Sequence, residues 1–295
     1  MSSHLSIGRL AAGLGLVTCM LAGAAPAAQQ SLAMEPLKDS GQNILPAYEG
    51  WYQNADGSFT LLAGYYNRNK KEVLEIPIGP DNRIEPGGPD QGQPTHFDVG
   101  RGWGTLAIKV PKDFGDKKLV WTLTANGKTV AIPFGIVKGY QIEPFKDAAM
   151  GNTPPVVKFQ PTGTANQGPP APLAQAYVTT ATAGEASPIT VWITDDGSDE
   201  TPVAAGGGGG GFQRPARLSV TMSKYRGPGG IKFDDNTPTV KDGKATANAT
   251  FSLPGEYLIR VEGNDSSGIG GGGFQCCWTT AYVKVSVKPS STGGF

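Results

Sequence analysis

Few side chains in this sequence have the chemistry of a catalytic centre. After residue 28 it contains one histidine, His96, and two cysteines, Cys276 and Cys277. A histidine-assisted nucleophile needs a marked partner, and no G-x-S-x-G motif is present. A zinc site needs three or four His, Cys or carboxylate ligands, which this set does not supply. The sequence therefore predicts a protein that is not an enzyme and has no catalytic cofactor.

Cys276 and Cys277 are neighbours, which limits how they can pair. Adjacent Cα atoms lie about 3.8 Å apart across a trans peptide, below the usual disulfide range of about 4.4–6.8 Å. A bond between them needs a tight local turn, and the four glycines of residues 270–273 just before them allow one. Three states are open: a vicinal disulfide, a disulfide to another chain, or two buried thiols. We favour the vicinal disulfide.

The N-terminus has the pattern of a secretory signal peptide. Arg9 is followed by the apolar run of residues 10–23, and then by the A-x-A pattern of residues 25–27. The run is too short to span a membrane. We therefore expect residues 1–28 to be removed and the protein to be exported, to the periplasm, the extracellular space or the cell surface. A lipoprotein signal at Cys19 is an alternative.

Composition restricts both the fold and the partners. The 295 residues include 43 glycines and 24 prolines, and both residue types break helix interiors. The formal net charge is +0, which gives no electrostatic attraction to nucleic acid or to anionic lipid. No segment after the signal peptide is apolar enough to span a membrane. The sequence therefore predicts an all-β protein that binds neither nucleic acid nor membrane.

Short strands and turns fill the first half of the chain after the flexible leader of residues 29–46. Asp56-Gly57 and Asn126-Gly127 are hairpin turn signals. Residues 79–95 contain too much Pro, Gly and Asp for a strand. The pattern predicts a β-sandwich over residues 47–142. Its expected strands are residues 51–53, 58–66, 73–78, 105–110, 118–125 and 128–136.

The second half alternates apolar and polar residues with period two, as a half-buried antiparallel sheet requires. One example is the run Ile189, Val191 and Ile193, and another is Tyr257, Ile259 and Val261. We expect a linker over residues 143–152, a second sandwich over 153–288 and a tail over 289–295. The expected strands of this sandwich are residues 175–182, 189–194, 217–223, 245–252, 256–262 and 281–288.

Three segments of the second sandwich, in this order, carry a resemblance to a known family. They are TDDG at residues 194–197, SKYRGPGGIKF at 223–233 and ATFSLPGEYLIRV at 249–261. This stretch resembles the immunoglobulin-like domains of the PKD and REJ families. The resemblance implies that residues 189–194 form strand B, 217–223 strand C, 256–262 strand F and 281–288 strand G. The first sandwich is expected to be a further immunoglobulin-like unit of no named family.

Two glycine-rich insertions fall in the B–C and F–G loops of this assignment. Those loops share one end of an immunoglobulin sandwich, the end that antibodies use for binding. Three large apolar residues accompany the insertions: Phe212, Phe274 and Trp278. They predict an adaptable apolar binding edge, and the alternative is that the two insertions pack on each other. A vicinal disulfide would hold Trp278 at the loop tip.

Carboxylates also lie at this end, and Asp195, Asp196 and Asp265 are weak candidates for a calcium site. Calcium takes six to eight oxygen ligands and tolerates irregular loops. No EF-hand spacing is present, so solvated turn carboxylates are the simpler interpretation.

The predicted function is protein–protein binding or cell-surface adhesion through immunoglobulin-like domains. Partners are expected at the cell envelope and to be proteins or glycans. One alternative is a carbohydrate-binding module, and another is an accessory domain of an exported enzyme complex. The aromatic residues that could stack on sugars in the first sandwich are Tyr48, Trp51, Tyr52, Tyr65, Tyr66, Trp103 and Trp121.

Overall fold

The computed structural model describes residues 36–148, 151–196, 218–265 and 276–290. The predicted signal peptide lies outside these ranges. The described residues form strands, turns and two short 3₁₀ turns, Lys138–Tyr140 and Leu173–Gln175, with no α-helix among them. Consequently none of the residues in these ranges belongs to a helix of the length and apolarity that crossing a bilayer requires. The described residues from Leu37 onward belong to one compact unit.

Eight strands build the first module. They are β1 (Ile44–Gln53), β2 (Phe59–Asn67), β3 (Leu74–Glu75), β4 (Asn82–Glu85), β5 (His96–Phe97), β6 (Gly100–Val110), β7 (Lys118–Ala125) and β8 (Lys128–Gly135). One sheet has the order β1-β2-β6, a second has β4-β7-β8, and β3 pairs with β5. Trp121, Leu61, Ile84 and Phe134 are fully buried in its core.

Both predicted hairpins of the first module are present. Asn126 and Gly127 have φ values of 51° and 72°, as a type I′ turn requires. Gly57 has φ 81°, and Asp56 Oδ1 accepts a hydrogen bond from Ser58 N at 3.0 Å. The turn signals therefore located both hairpins, although β1 begins at Ile44 and not at Trp51.

Two expectations about the first module are wrong. Residues 79–95 contain strand β4, which pairs with β7. Its Asn82 side chain donates to Ile76 O at 2.9 Å and to Pro94 O at 2.7 Å, so a buried amide holds together a loop that its Pro and Gly content makes irregular. The module also begins earlier than residue 47, because β1 starts at Ile44.

Eight further strands build the second module. They are β9 (Val156–Lys158), β10 (Tyr177–Thr182), β11 (Ala186–Thr194), β12 (Ser219–Arg226), β13 (Ile231–Phe233), β14 (Lys244–Phe251), β15 (Gly255–Asn264) and β16 (Trp278–Lys288). One sheet has the order β10-β16-β15-β12 and the other has β13-β14-β11-β9. Strand β10 is parallel to β16, and the remaining pairs are antiparallel. The expected strands B, C, F and G correspond to β11, β12, β15 and β16, and the module is an immunoglobulin-like sandwich.

The period-two pattern predicted which side chains enter this second core. Ile193, Met222, Ile259 and Val283 are each fully buried and belong to one apolar cluster. The opposite positions of the same strands point away from that cluster, because successive strand residues alternate between the two faces.

A tyrosine corner joins two of the motif segments. The Tyr257 hydroxyl donates to Leu253 O at 2.8 Å, and the ring is 1% exposed. Gly227 has φ 149°, and a Cβ there would lie 2.1 Å from Tyr257 Cδ1. A Cβ on Gly229 would lie 2.4 Å from Ser252 Oγ and 2.8 Å from the Tyr257 hydroxyl. Gly227 and Gly229 therefore lack side chains at the two positions where a Cβ would collide with the tyrosine corner.

We predict that Tyr257→Phe lowers the free energy of unfolding by about 1 kcal/mol, the usual net value of a buried hydrogen bond. Urea denaturation of the mature chain measures this. Tyr177→Phe is the matched control, since the Tyr177 hydroxyl has only a 3.5 Å contact with Gln160 in an exposed setting. Equal stability of Tyr257→Phe and wild type would show that the corner hydrogen bond contributes nothing.

Candidate functional site between the two modules

The outer face of the sheet β12-β15-β16 is covered by the first module. Arg260, Glu262 and Asn264 of β15 lie on this face, next to Tyr282, Thr280 and Trp278 of β16 in register. Glu262, Asn264, Thr280 and Trp278 are each no more than 5% exposed. The alternating polar residues predict that this face of the sheet contacts solvent. In the structure it is buried instead, at the boundary between the two modules.

Hydrogen bonds from two tyrosines cross this boundary. The Tyr225 and Tyr282 hydroxyls both donate to Thr105 O, at 2.8 and 2.7 Å, and Tyr225 lies 2.7 Å from Gly92 O as well. Their ring centroids are 4.8 Å apart. Because each hydroxyl is buried with its acceptor, separating the modules would expose two aromatic rings and an unpaired carbonyl.

A cleft of about 510 Å³ opens beside this boundary. The first module contributes Glu75, His96, Asp98 and residues 101–103 to its walls, and the second contributes β12, β13 and part of β15. An adjoining pocket shares Glu75, Lys224 and Gly230 with it. The walls of the cleft carry charged, aromatic and main-chain groups from both modules.

His96 stands at the centre of a charge network in this cleft. Its Nδ1 is 2.7 Å from Glu75 Oε1 and its Nε2 is 3.1 Å from Asp98 Oδ1. Lys224 Nζ, from the second module, is 2.6 Å from the same Glu75 oxygen. Burial disfavours the imidazolium, but the hydrogen bonds and charges of Asp98 and Glu75 outweigh it and raise the pKa of His96 to about 9. Although burial opposes it, His96 and Lys224 hold the pKa of Glu75 below its ordinary value.

Each remaining cation of the cleft also has a carboxylate partner. Arg101 is 2.5 Å from Glu49 Oε1, and its guanidinium lies 4.0 Å from the centre of the Trp103 ring. Arg260 contacts Glu262 and donates to Trp103 O at 2.6 Å. Burial raises the pKa of Glu49, and the neighbouring Arg101 and the Gly104 N–H counteract that effect.

Carboxylates engage both ring nitrogens of His96. As an imidazolium, His96 donates both ring N–H groups to carboxylates, so it has no lone pair with which to accept a proton. Within the described ranges no group of three or more His, Cys, Asp or Glu side chains is arranged to hold a metal ion. The charged side chains of the cleft are therefore paired with one another.

Of the three residues predicted to form a binding edge at the loop end, the structure describes only Trp278. Phe212 and Phe274 lie outside the described residues. Trp278 is not at a loop tip: it is 5% exposed, because it is the first residue of β16 and pairs with Asn264. Its indole lies against Gly104 of the first module, where a Cβ would be 2.9 Å from the Trp278 ring.

Two of the calcium candidates accept hydrogen bonds from Asn152 and Thr153, at the junction of the linker and the second module. Asp265 Oδ2 accepts from Asn152 Nδ2 at 2.7 Å and is buried. Asp196 Oδ2 accepts from Thr153 Oγ1 at 2.6 Å, and Asp195 precedes it at the end of β11. The calcium assignment has no support among the described residues.

Cys276 and Cys277 form a vicinal disulfide, with Cα atoms 3.1 Å apart across a cis peptide. Both are 2% exposed, and Cys277 Sγ lies 3.4 Å from Asn152 O of the linker. The pair therefore sits where the linker, β16 and the module boundary meet.

The aromatic residues considered for sugar binding are mostly core residues. Trp121, Tyr65, Trp51 and Tyr52 are at most 9% exposed, and Tyr48, Tyr66 and Trp103 are partly buried. Among the described residues they do not form an exposed row of three rings. Trp103 and Tyr65 also line the cleft.

Sequence reasoning missed the residues that build the boundary, chiefly Tyr225, Arg260, Tyr282 and Glu75. One signal was available: Tyr282 and Trp278 are large aromatics at the polar positions of a strand. In a freely exposed face, such positions more often carry small or charged side chains.

No family model and no curated protein matches this chain. Solved structures match it only remotely. Domains 4 and 5 of the S-layer protein SbsC are 12% identical over 83% of this chain and 98% of theirs, with a TM-score of 0.23. The larger rSbsC(31-844) structure is 11% identical over 84% of this chain and 28% of its own, with a TM-score of 0.23. The D0-D1 domain of Intimin is 14% identical over 82% and 94%, with a TM-score of 0.19.

Similarities at these TM-scores carry no argument about function. The immunoglobulin-like class of the second module rests on its own strand order, and membership of the PKD or REJ families stays a prediction.

We predict that His96 makes stability depend on pH. Its pKa of about 9 exceeds the ordinary 6.5, so its contribution is complete below pH 6.5 and is lost as the pH rises through about 9. The loss should be on the order of 1–3 kcal/mol. Denaturation of wild type and His96→Gln across this range measures it, and the variant should lack this component. Parallel curves for the two proteins would contradict the network.

We predict that the vicinal disulfide is present in the mature protein. Intact mass spectrometry should give a monomer two hydrogens lighter before reduction than after it. Alkylation of both cysteines in the native, unreduced protein would contradict this state, and a disulfide-linked dimer would indicate pairing between chains.

Proposed function

We propose that this chain is an exported, non-enzymatic binding protein that recognises a protein partner at the cell envelope. The observation that carries the proposal is the buried boundary between its two sandwiches. Tyr225 and Tyr282 fasten one module to the other through Thr105 O. The two modules therefore hold a fixed orientation, and the cleft between them has walls from both.

Protein binding fits the surface better than the alternative of sugar binding. The aromatics that would form a sugar platform are largely buried, and the cleft exposes strand edges as well as side chains. A role as an accessory domain of an exported enzyme complex is a special case of protein binding. The proposal therefore stays with a protein partner, with the cleft as its first candidate surface and the B–C/F–G end as its second.

Photo-crosslinking of the mature chain to its own envelope fraction tests this function. We expect a defined set of crosslinked proteins whose capture saturates and is competed by free mature chain. The same chain unfolded in urea before immobilisation is the control. A parallel glycan array decides the alternative: selective glycan binding without competable protein capture would overturn the proposal.

A further inference from the structure

Strand β13 is the edge of its sheet, and its free side can be identified from the hydrogen bonds on the other side. Ser252 N donates to Gly230 O at 3.0 Å, and Asp234 N donates to Asn248 O at 3.1 Å. In an antiparallel pair, bonded and non-bonded positions alternate. Gly230, Lys232 and Asp234 therefore bond toward β14, while the N–H and C=O groups of Ile231 and Phe233 point away from it.

Those outward groups face the cleft, because Ile231 and Phe233 both line it. Across the cleft is the edge of β12, which is closed at two points. Met222 N donates to Asn236 O at 2.8 Å, and Thr95 N of the first module donates to Tyr225 O at 3.2 Å. Among the described residues, no backbone–backbone hydrogen bond involves the outward N–H and C=O groups of Ile231 and Phe233.

Two other edge strands among the described residues, β8 and β9, are protected. In β8, Pro133 lies opposite Val120 at a position that does not hydrogen-bond to β7. Any other residue there would point its N–H outward, and proline has no N–H to offer an added strand. Strand β9 exchanges two hydrogen bonds with Asn166 through Val157. Proline and covering loops are standard protection against strand addition. The cleft edge of β13 has neither.

We propose that β13 receives an extended, uncharged segment of the protein partner as an added strand within the cleft. This inference rests on the proposed function and names its site. Ile231 and Phe233 together offer two N–H donors and two C=O acceptors. The two residues lie about 6.6–6.8 Å apart along the strand, which is the spacing at which another extended chain presents its own N–H and C=O groups. A polypeptide backbone supplies the complementary groups at that spacing.

The charge pattern of the cleft restricts which segment fits. His96, Lys224, Arg101 and Arg260 each have a carboxylate partner. A charged side chain entering the cleft would have to displace one of these pairs and lose its own hydration. A neutral segment with small or apolar side chains avoids both costs, and Phe233 and Trp103 offer it apolar contact.

Hydrogen exchange of the free, full-length mature protein tests the premise. We expect the amides of Ile231 and Phe233 to exchange much faster than the amides of Lys232 and Asp234 in the same strand. Equal protection of all four amides would overturn the proposal, because it would mean that the outward edge is already paired.

Panning a phage-displayed random dodecapeptide library on the mature chain tests binding. We expect enriched peptides to be neutral and rich in strand-forming residues. Their affinity should fall at least about tenfold in Ile231→Pro, which removes one outward N–H and blocks approach of a strand. Ile231→Ala keeps the N–H and should bind more like wild type. Ala131→Pro places proline at the equivalent outward position of β8 and should leave binding unchanged.

The outcomes separate the site from the function. Peptides that bind Ile231→Pro as well as wild type would overturn the strand-addition site, as would a library that yields no binders. Competable protein capture that persists in Ile231→Pro would overturn the site while leaving the proposed function intact. Thermal unfolding of each variant confirms that it is folded. If Ile231→Pro does not fold, Phe233→Pro removes the other outward N–H of β13 and makes the same test, with Phe233→Ala as its control.

Discussion

Burial of a polar sheet face is the constraint on which the rest of this molecule depends. Charged groups lose hydration when they are covered, and the loss is tolerable only if each finds a partner. Arg260 and Glu262 form an ion pair on β15. Glu49 and Arg101 form a second ion pair in the first module. Removal of one member would leave its partner buried without compensation, so these four residues act together rather than as separate ion pairs.

The same constraint explains the architecture around the boundary. Gly104 is needed where Trp278 approaches the first module, because any side chain there would meet the indole. Thr105 then presents its carbonyl to two tyrosine hydroxyls. The segment just before the linker lies along β1, since Ile142 N donates to Trp51 O at 2.9 Å and Trp51 Nε1 donates to Val137 O at 2.7 Å. Within the linker, the Phe145 ring packs edge-on against Tyr52 of β1, with ring centroids 5.2 Å apart.

The sequence predicted local structure well and the module boundary poorly. Alternating residues such as Ile189, Val191 and Ile193 identify the inner face of a strand, and Asn126-Gly127 identifies a turn, because both effects act over a few residues. The outer face is different: Glu262 and Asn264 look like solvent-facing residues until another module covers them. Strand β4 was missed for a related reason, since Asn82 finds its partners across a loop.

Strand β16 lies between β10 on one side and β15 on the other, parallel to the first and antiparallel to the second. The six pairs from Tyr177↔Val283 to Thr182↔Lys288 run in the same direction. A pulling force applied between the start of β10 and the end of β16 would act along these strands. The hydrogen bonds between β10 and β16 would then be sheared together instead of opening one after another.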